Sequence, residues 1–297
     1  MPELPEVQTV VTTLAPRLVG RTLSDVVHVR ADIVRPCGFD LPAAVVGRTV
    51  SSVTRRGKRI VIGLDDGGRF YIHLGMTGRL TVDPSAQPVE PHTHLIVRLR
   101  RSGDASDGSE LRFRDPRRFG GVFWLGTGDD IANSDDARMG PEPLTLRADK
   151  LAKRLARTTR AIKNALLDQA VVAGLGNIYV DEALFASGIH PLRPAHELSI
   201  DDVRRLNRAI KATLSRAIRH RGSTLRDYVD ADGQSGGFQR LHRVYGREGE
   251  PCRMCRSPIA RIVLGGRSTH FCPRCQPASS PPAKRRRRSR ASARLRA

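Results

Sequence analysis

Residues 252–275 read CRMCRSPIARIVLGGRSTHFCPRC, in which two Cys-x-x-Cys pairs are separated by sixteen residues. This spacing is typical of a structural zinc site, because four thiolates complete a tetrahedral shell and leave no position for a reacting water. Apolar and β-branched runs at Ile259–Leu264 and Thr269–Phe271 flank a Gly-Gly turn and predict a β-hairpin between the pairs. We expect one structural zinc ion, held by Cys252, Cys255, Cys272 and Cys275.

The net charge is the strongest global feature of the chain. The 297 residues carry a formal charge of +21, and eight Lys or Arg lie within residues 278–297, which contain no acid. The rest of the chain still carries +13, so the basic character is not confined to the tail. A field of this sign favours a polyanionic partner, above all nucleic acid, over a merely solvated surface.

The N-terminal part alternates between a helical and a β pattern. Residues 3–19 place Val7, Val10, Val11, Leu14 and Leu18 on one helical face. Residues 21–125 then predict short strands, with a hairpin turn at Asp66-Gly67-Gly68 and a polar loop at Arg101–Glu110. The clearest strand runs are Arg59–Leu64, Arg69–Leu74, His94–Leu99, Leu111–Arg114 and Val122–Leu125. Such a series favours a β-sandwich or barrel.

The C-terminal part has a helical period before the cysteine segment. Helices are predicted over 150–169, 178–187 and 200–219, the last with Ser199 and Asp202 as a capping pair. The fold class is therefore α+β: an N-terminal β-sandwich with flanking helices, followed by a helical domain and a zinc β-hairpin.

The first residues suit amine chemistry. Pro2 becomes N-terminal once Met1 is removed, and a free α-amine has a pKa of about 8, so much of it is unprotonated near neutrality. Addition of this secondary amine to a sugar carbon gives an iminium with a fixed positive charge. Glu3 lies beside it as a candidate general acid. The alternative is structural, because proline and an acidic residue both favour the first turn of a helix.

Seven motifs then point to one family. The chain resembles bacterial formamidopyrimidine-DNA glycosylases, also called 8-oxoguanine DNA glycosylase/AP lyases, from Met1 to about Gln276. The motifs, in chain order, are PELPEV (2–7), RRGK (55–58), HLGMTG (73–78), DPRRFG (115–120), LGNIYVDEALF (175–185), VYGREGEPC (244–252) and GGRSTHFCPRC (265–275).

The resemblance implies a role for each of several residues. Pro2 is the implied nucleophile and Glu3 the first acid, while Lys58 aids proton transfer and Arg267 holds the phosphate beside the lesion. Asn177 is expected to cap the helix over 178–187 within a helix–two-turn–helix element and to grip a phosphate. The remaining implied DNA contacts are His73, His92 and Arg117, and the residues that fill the space left by the flipped nucleotide are Met76, Arg117 and Phe119.

The composition and the resemblance together indicate how the chain is divided. We expect a catalytic β-sandwich domain over 1–135, a linker over 136–150, a helical DNA-binding domain over 151–250, a zinc finger over 251–277 and a disordered basic tail over 278–297. Residues 222–237 match a mobile loop that closes over the flipped base. This chain departs from the family at Thr158 and Thr159, where a basic residue is common, so a contact from Arg157 or Arg160 stays open.

The leading hypothesis is a bifunctional DNA glycosylase and AP lyase of base excision repair. It removes oxidised purines through a Pro2 Schiff base and cleaves the strand by β,δ-elimination. The alternatives are an oxidised-pyrimidine glycosylase of the same fold and a noncatalytic zinc DNA-binding paralogue. The expected partner is damaged double-stranded DNA, and the chain is expected to be a monomeric bacterial cytoplasmic protein associated with the nucleoid. Without the family, Met76 and Phe119 would be read as core residues and His73 as an ordinary strand residue.

Overall fold

The first helix joins two hydrophobic cores. The computed structural model describes residues 2–101, 104–127, 138–225 and 228–278, and α1 spans Leu4–Leu18. Its predicted apolar face is buried, from Val7 to Leu18, in the core of the N-terminal domain. Leu4, one turn earlier, packs into the core of the helical domain instead. The residues just before and at the start of α1 therefore lie at the junction between the domains.

The N-terminal domain contains two sheets that share one core. One sheet has the order β1 (Arg21–Val29), β7 (Thr93–Arg101), β8 (Asp104–Arg114) and β6 (Arg79–Pro84). The other has the order β2 (Val34–Arg35), β9 (Gly121–Gly126), β5 (Arg69–His73), β4 (Arg59–Leu64) and β3 (Val50–Arg56), and the short helix α2 spans Leu41–Val45. Leu23 and Leu111 of the first sheet pack with Ile60 and Ile72 of the second. The predicted β-sandwich and the turn at Asp66-Gly67-Gly68 are confirmed.

The expected polar loop over 101–110 is wrong for most of its length. Strand β8 begins at Asp104, and Arg101 pairs with Asp104 at the end of the β7–β8 ladder. The register of the β7–β8 pairing shifts between Leu99 and Arg101, just before this last pair. Polar composition did not prevent pairing, because backbone hydrogen bonds can extend a hairpin beyond the part that has a buried face.

Four α-helices make up the helical domain over the residues that the structure describes. They are α3 (Ala148–Leu155), α4 (Ile162–Leu167), α5 (Asn177–Ser187) and α6 (Ile200–Arg219). The single helix expected over 150–169 is two, because the chain leaves helical geometry around Thr158, whose hydroxyl accepts from the Arg160 backbone N–H at 3.3 Å. The same arginine pairs with Asp168 at 2.8 Å. The predicted Ser199–Asp202 capping box is present at the start of α6.

The cysteine segment forms the predicted hairpin. Strands β10 (Ala260–Leu264) and β11 (Arg267–Phe271) pair antiparallel around Gly265 and Gly266, which both have positive φ. The basic tail expected after this module lies, from residue 279 onward, outside the described residues. In the part of the chain that the structure describes, no helix is long and apolar enough to cross a membrane.

Candidate active site

The Glu3 carboxylate binds the start of α5 across the domain boundary. Its Oε2 accepts from the Gly176 backbone N–H at 2.8 Å and its Oε1 from that of Ile178 at 2.9 Å. Gly176 is the N-cap of the helix, so the expected capping role of Asn177 is wrong: Asn177 is the first helical residue. A Cβ at Gly176 would lie 2.4 Å from Glu3 Cδ, so only glycine leaves room for the carboxylate.

Burial shifts the pKa values of Glu3 and Lys58. Desolvation raises the pKa of Glu3 from 4.5 to about 7, against the opposing effect of the Lys58 charge and the backbone N–H groups. Burial also lowers the pKa of Lys58, although the charges of Glu3 and Glu6 oppose this shift. An acid that titrates near neutrality and an amine that releases its proton more easily are suited to proton transfer.

The turn that carries Lys58 is fastened to the segment between the domains. Glu142 accepts from the Gly57 backbone N–H at 2.6 Å and from Arg55 Nη2 at 2.6 Å. Arg56 Nη2 donates to the Met139 carbonyl at 3.0 Å. Gly57 has φ +57°, and a Cβ there would lie 2.7 Å from Met139 Sδ. The RRGK motif is thus a docked turn that sets the position of Lys58.

Pro2 lines a cavity of about 310 Å³ between the domains. Met76 and Arg117 lie on the sandwich side, and the other side is formed by the helical domain and the segment after α6. The lining residues from that second side are Ile178, Ser223, Leu225, Tyr228 and Tyr245. The volume lies at the lower end of the range for small-molecule pockets, and the wall combines apolar and hydrogen-bonding groups.

Glu6 connects three elements beneath this cavity. Its carboxylate accepts from the Glu3 backbone N–H at 2.8 Å, from the Ser223 backbone N–H at 2.7 Å and from the Tyr179 hydroxyl at 2.5 Å. Tyr228 Oη donates to the Glu6 carbonyl at 3.1 Å, which ties the segment after α6 to α1 as well. Glu6 is 2% exposed, and its burial raises its pKa. The N-terminus is therefore held from both domains.

Two loops at the edge of the sandwich present exposed apolar side chains. Met76 is 40% exposed and Phe119 is 55% exposed, so neither is a core residue. The Arg117 guanidinium carbon lies 4.7 Å from the centre of the Phe119 ring. Asp115 joins the loops by accepting from the Thr77 hydroxyl at 2.6 Å and from the Gly120 backbone N–H at 2.7 Å. A Cβ at Gly75 would lie 2.5 Å from the Phe119 backbone, so the loops touch along their main chains.

The two predicted histidines differ in their surroundings. His73 is partly buried at the end of β5, where its Nδ1 lies 3.4 Å from the Lys58 carbonyl, and desolvation lowers its pKa. His92 is exposed and has φ 68°, an unusual conformation for a residue with a side chain. Its carbonyl accepts from the Asp115 backbone N–H at 3.0 Å.

The zinc hairpin is attached to the helical domain through a buried ion pair. Lys163 Nζ lies 2.7 Å from Asp181 Oδ1, and both side chains are fully buried. Lys163 also donates to the Ser268 carbonyl at 2.6 Å, and Asp181 accepts from the His270 backbone N–H at 2.9 Å. The Asn177 amide donates to the Ser268 hydroxyl at 3.2 Å. Arg267 is exposed at the hairpin turn, and its charge contributes to the depressed pKa of Lys58.

The four cysteines of the hairpin module fit a single structural zinc ion. Their sulfurs all lie within 4.8 Å of one another, with Cys255 and Cys272 at 3.4 Å and Cys252 and Cys275 at 3.9 Å. Zn–S bonds of about 2.3 Å in a tetrahedron place sulfurs about 3.8 Å apart. The donor set is complete without water, so the ion would hold the module together and supply no reactive ligand.

The fold and the site together define a DNA-binding enzyme with a zinc finger. A model of the formamidopyrimidine-DNA glycosylase N-terminal domain matches residues 1–122, a model of that family's H2TH domain matches residues 139–229, and a model of the zinc finger found in FPG and IleRS matches residues 249–278. The chain belongs to the formamidopyrimidine-DNA glycosylase family and is therefore a base-excision-repair glycosylase.

Individual relatives agree over nearly the whole chain. The formamidopyrimidine-DNA glycosylase of Geobacillus kaustophilus is 45% identical over 93% of this chain and 100% of the relative. The MutM (FPG) crystal structure from Thermus thermophilus is 43% identical over 93% of this chain and 98% of that one, with a TM-score of 0.81. The crystal structure of a Lactococcus lactis FPG mutant in complex with Fapy-dG-containing DNA is 34% identical in sequence. The match covers 93% of this chain and 100% of that one, with a TM-score of 0.85.

Proposed function

We propose that the enzyme removes oxidised purines, 8-oxoguanine and formamidopyrimidines, and then cleaves the strand as an AP lyase with Pro2 as nucleophile. The observation that carries the proposal is the Glu3 carboxyl group. It stands next to Pro2 and is held at the start of α5, with a pKa of about 7. A buried acid of this strength next to an N-terminal secondary amine suits excision that forms an iminium.

The first step replaces the base with the enzyme. The unprotonated Pro2 nitrogen attacks C1′ of the flipped nucleotide, while Glu3 protonates the sugar ring oxygen. The glycosidic bond breaks, and the base leaves with its electron pair and takes up the proton that the attacking Pro2 nitrogen releases. The nitrogen lone pair then expels the ring oxygen that Glu3 has protonated, which breaks the ring C1′–O bond. The product is an open-chain iminium between Pro2 and C1′.

The second step cleaves the DNA backbone. The iminium acidifies C2′, so a base removes a C2′ proton and the 3′-phosphate leaves in β-elimination. Loss of a C4′ proton and of the 5′-phosphate follows in δ-elimination, and water then releases the sugar fragment. Lys58, with its depressed pKa, is assigned to proton transfer, and Arg267 is assigned to the phosphate beside the lesion.

Extrusion of the base requires the exposed side chains at the sandwich edge. Flipping costs a few kcal/mol of stacking and pairing. Apolar and planar side chains such as Met76 and Phe119 can occupy the vacated stack, and Arg117 can hydrogen-bond the orphaned partner base. His73, His92 and Asn177 are assigned to the DNA backbone, which they would position without reading sequence.

The substrate proposal is supported by the relatives. The Lactococcus lactis protein is described in complexes with Fapy-dG and with an abasic site in DNA. The cavity that Pro2 lines is enclosed by residues of one chain, which supports our proposal that the enzyme acts as a monomer. Because its named relatives are bacterial, we also assign it to the bacterial cytoplasm, where its DNA substrate lies.

The test is borohydride trapping on a duplex with one 8-oxoguanine opposite cytosine. Protein whose intact mass shows loss of Met1 should form a covalent adduct, and Pro2→Gly should form much less. An oxidised-pyrimidine duplex is run in parallel. Trapping on that duplex alone would assign the chain to a pyrimidine-specific enzyme. Absence of an adduct on both duplexes, from zinc-loaded protein, would leave a noncatalytic DNA-binding protein.

A further inference from the structure

A second large groove lies on the helical domain, outside the Pro2 cavity. Its volume is about 430 Å³, and it runs between α5, α6 and the segment 238–243. Small and apolar side chains form its floor, among them Ala209, Phe238 and Leu241. Four arginines line it as well: Arg205, Arg208, Arg216 and Arg243. We call this feature the arginine groove.

Most of the charge in the arginine groove is unneutralised. Arg205 pairs with Asp202 at 2.5 Å. Among the residues that the structure describes, the guanidinium groups of Arg208, Arg216 and Arg243 have no acidic or hydrogen-bonding partner. Three unpaired cations around one concave surface raise the local concentration of anionic groups.

Glu182, an acid in the wall of the groove, is already satisfied. It is 3% exposed, and its carboxylate accepts from the backbone N–H groups of Arg243, Val244 and Tyr245, each at 2.9 Å. Its role is to fold the 243–245 segment against α5. Its acceptor positions are taken by backbone N–H groups, and among the described residues it forms no ion pair with a groove arginine.

The arginine groove is separate from the proposed DNA site along α5. Asn177 and Ile178, at the beginning of the helix, face the zinc hairpin and the Pro2 cavity. The groove involves Ala186 and Ser187 at the other end. At 1.5 Å per residue the two ends are about 15 Å apart.

We propose that the arginine groove binds an acidic segment of a partner protein, with one apolar side chain of that segment seated on the floor. Charge complementarity favours this occupant, because carboxylates match the rim and an aromatic or aliphatic side chain matches the floor. The surface would recruit the enzyme to a protein while the Pro2 cavity faces DNA.

The test uses a short fluorescein-labelled peptide of Asp and Glu residues with one central Phe. Fluorescence anisotropy should show binding to the intact chain that weakens with salt. The variant Arg208→Glu with Arg216→Glu should bind the peptide at least about tenfold more weakly, because two of the three unpaired positive charges in the groove become negative. The matched control, Arg204→Glu with Lys211→Glu, changes the net charge equally on α6 outside the groove and should bind like the parent chain.

A second variant tests the floor without changing charge. Ala212 lines the groove and is exposed, so the larger side chain of Ala212→Trp would fill part of the groove. This variant should bind the peptide more weakly, and its circular dichroism spectrum should stay unchanged. Replacing the peptide Phe with Gly should weaken binding to the parent chain. Equal peptide binding by parent, groove variant and control would overturn the proposal. So would a selective loss of affinity for undamaged duplex in the groove variant, since that would make the groove a DNA site.

Discussion

Glu142 should stabilise the fold and also position Lys58. Replacing it with alanine removes the acceptor for the Gly57 backbone N–H and for Arg55 Nη2, both at 2.6 Å. The Arg55 side chain is only 8% exposed, so water cannot easily replace the lost partner. Two charge-assisted hydrogen bonds at about 1.5 kcal/mol each give a loss of about 3 kcal/mol in the free energy of unfolding. This corresponds to a fall in Tm of roughly 6 to 12 °C.

The assay is thermal unfolding followed by circular dichroism, paired with strand nicking on a preformed abasic site. The Glu142→Ala variant should melt earlier and nick more slowly, because the turn that carries Lys58 is no longer fastened. The control is Asp149→Ala, whose exposed carboxylate pairs with the exposed Arg147, and its Tm should match the parent. A Tm of Glu142→Ala within a degree of the parent, with normal nicking, would refute this account of the turn.

Acid provides an independent check on Glu142. Burial is the largest single effect and raises the pKa of this group. The hydrogen bond and charge of Arg55, the Gly57 backbone N–H and the charge of Arg56 together outweigh it and leave the pKa below its ordinary 4.5. The contribution of Glu142 to the free energy of unfolding is therefore fully present above pH 4.5 and is lost as pH falls through its depressed pKa in the folded state. The difference in Tm between parent and Glu142→Ala should shrink over that range.

Three further outcomes are expected. Gly176→Ala should reduce borohydride trapping at least about tenfold, because its Cβ would displace Glu3, and trapping equal to that of the parent would contradict this. The rate of base excision should fall as pH rises through about 7, where Glu3 loses its proton. The rate of strand nicking on a preformed abasic site, measured in parallel, should not fall over that pH range. A chelator should release one zinc ion per chain and reduce strand nicking, because the hairpin that the ion stabilises positions Arg267. Nicking that survives full loss of zinc would argue against the proposed role of Arg267.

The sequence predicted those features that local pattern determines. The α1 face, the Ser199 cap and the cysteine spacing each depend on residues close together in the chain, and all three are confirmed. The break near Thr158 was missed because apolar periodicity continues on both sides of it. The beginning of β8 was wrongly predicted as a loop over 101–110, because polarity does not report backbone pairing.

The support of the active site depends on contacts far apart in sequence, so pattern alone could not supply it. Asn177 matched a helix-capping residue, yet the side chain that accepts from the first backbone N–H groups of α5 is Glu3, more than 170 residues away. Glu6 was not singled out, although its spacing of three from Glu3 is a capping-box signal that could have drawn attention to it. Its other partners, Tyr179 and Ser223, are joined to it only by the tertiary fold.

The way in which the N-terminus is held has a consequence for biosynthesis. Pro2, the proposed nucleophile, is among the first residues to leave the ribosome, but the groups that hold its neighbours are made much later, at Gly176, Ile178 and Ser223. Until those segments emerge, Glu3 and Glu6 are hydrated carboxyls of ordinary acidity, and the amine has no formed cavity around it. A chain that lacks those segments should therefore be unable to carry out the proposed reaction, which would require both domains to be complete.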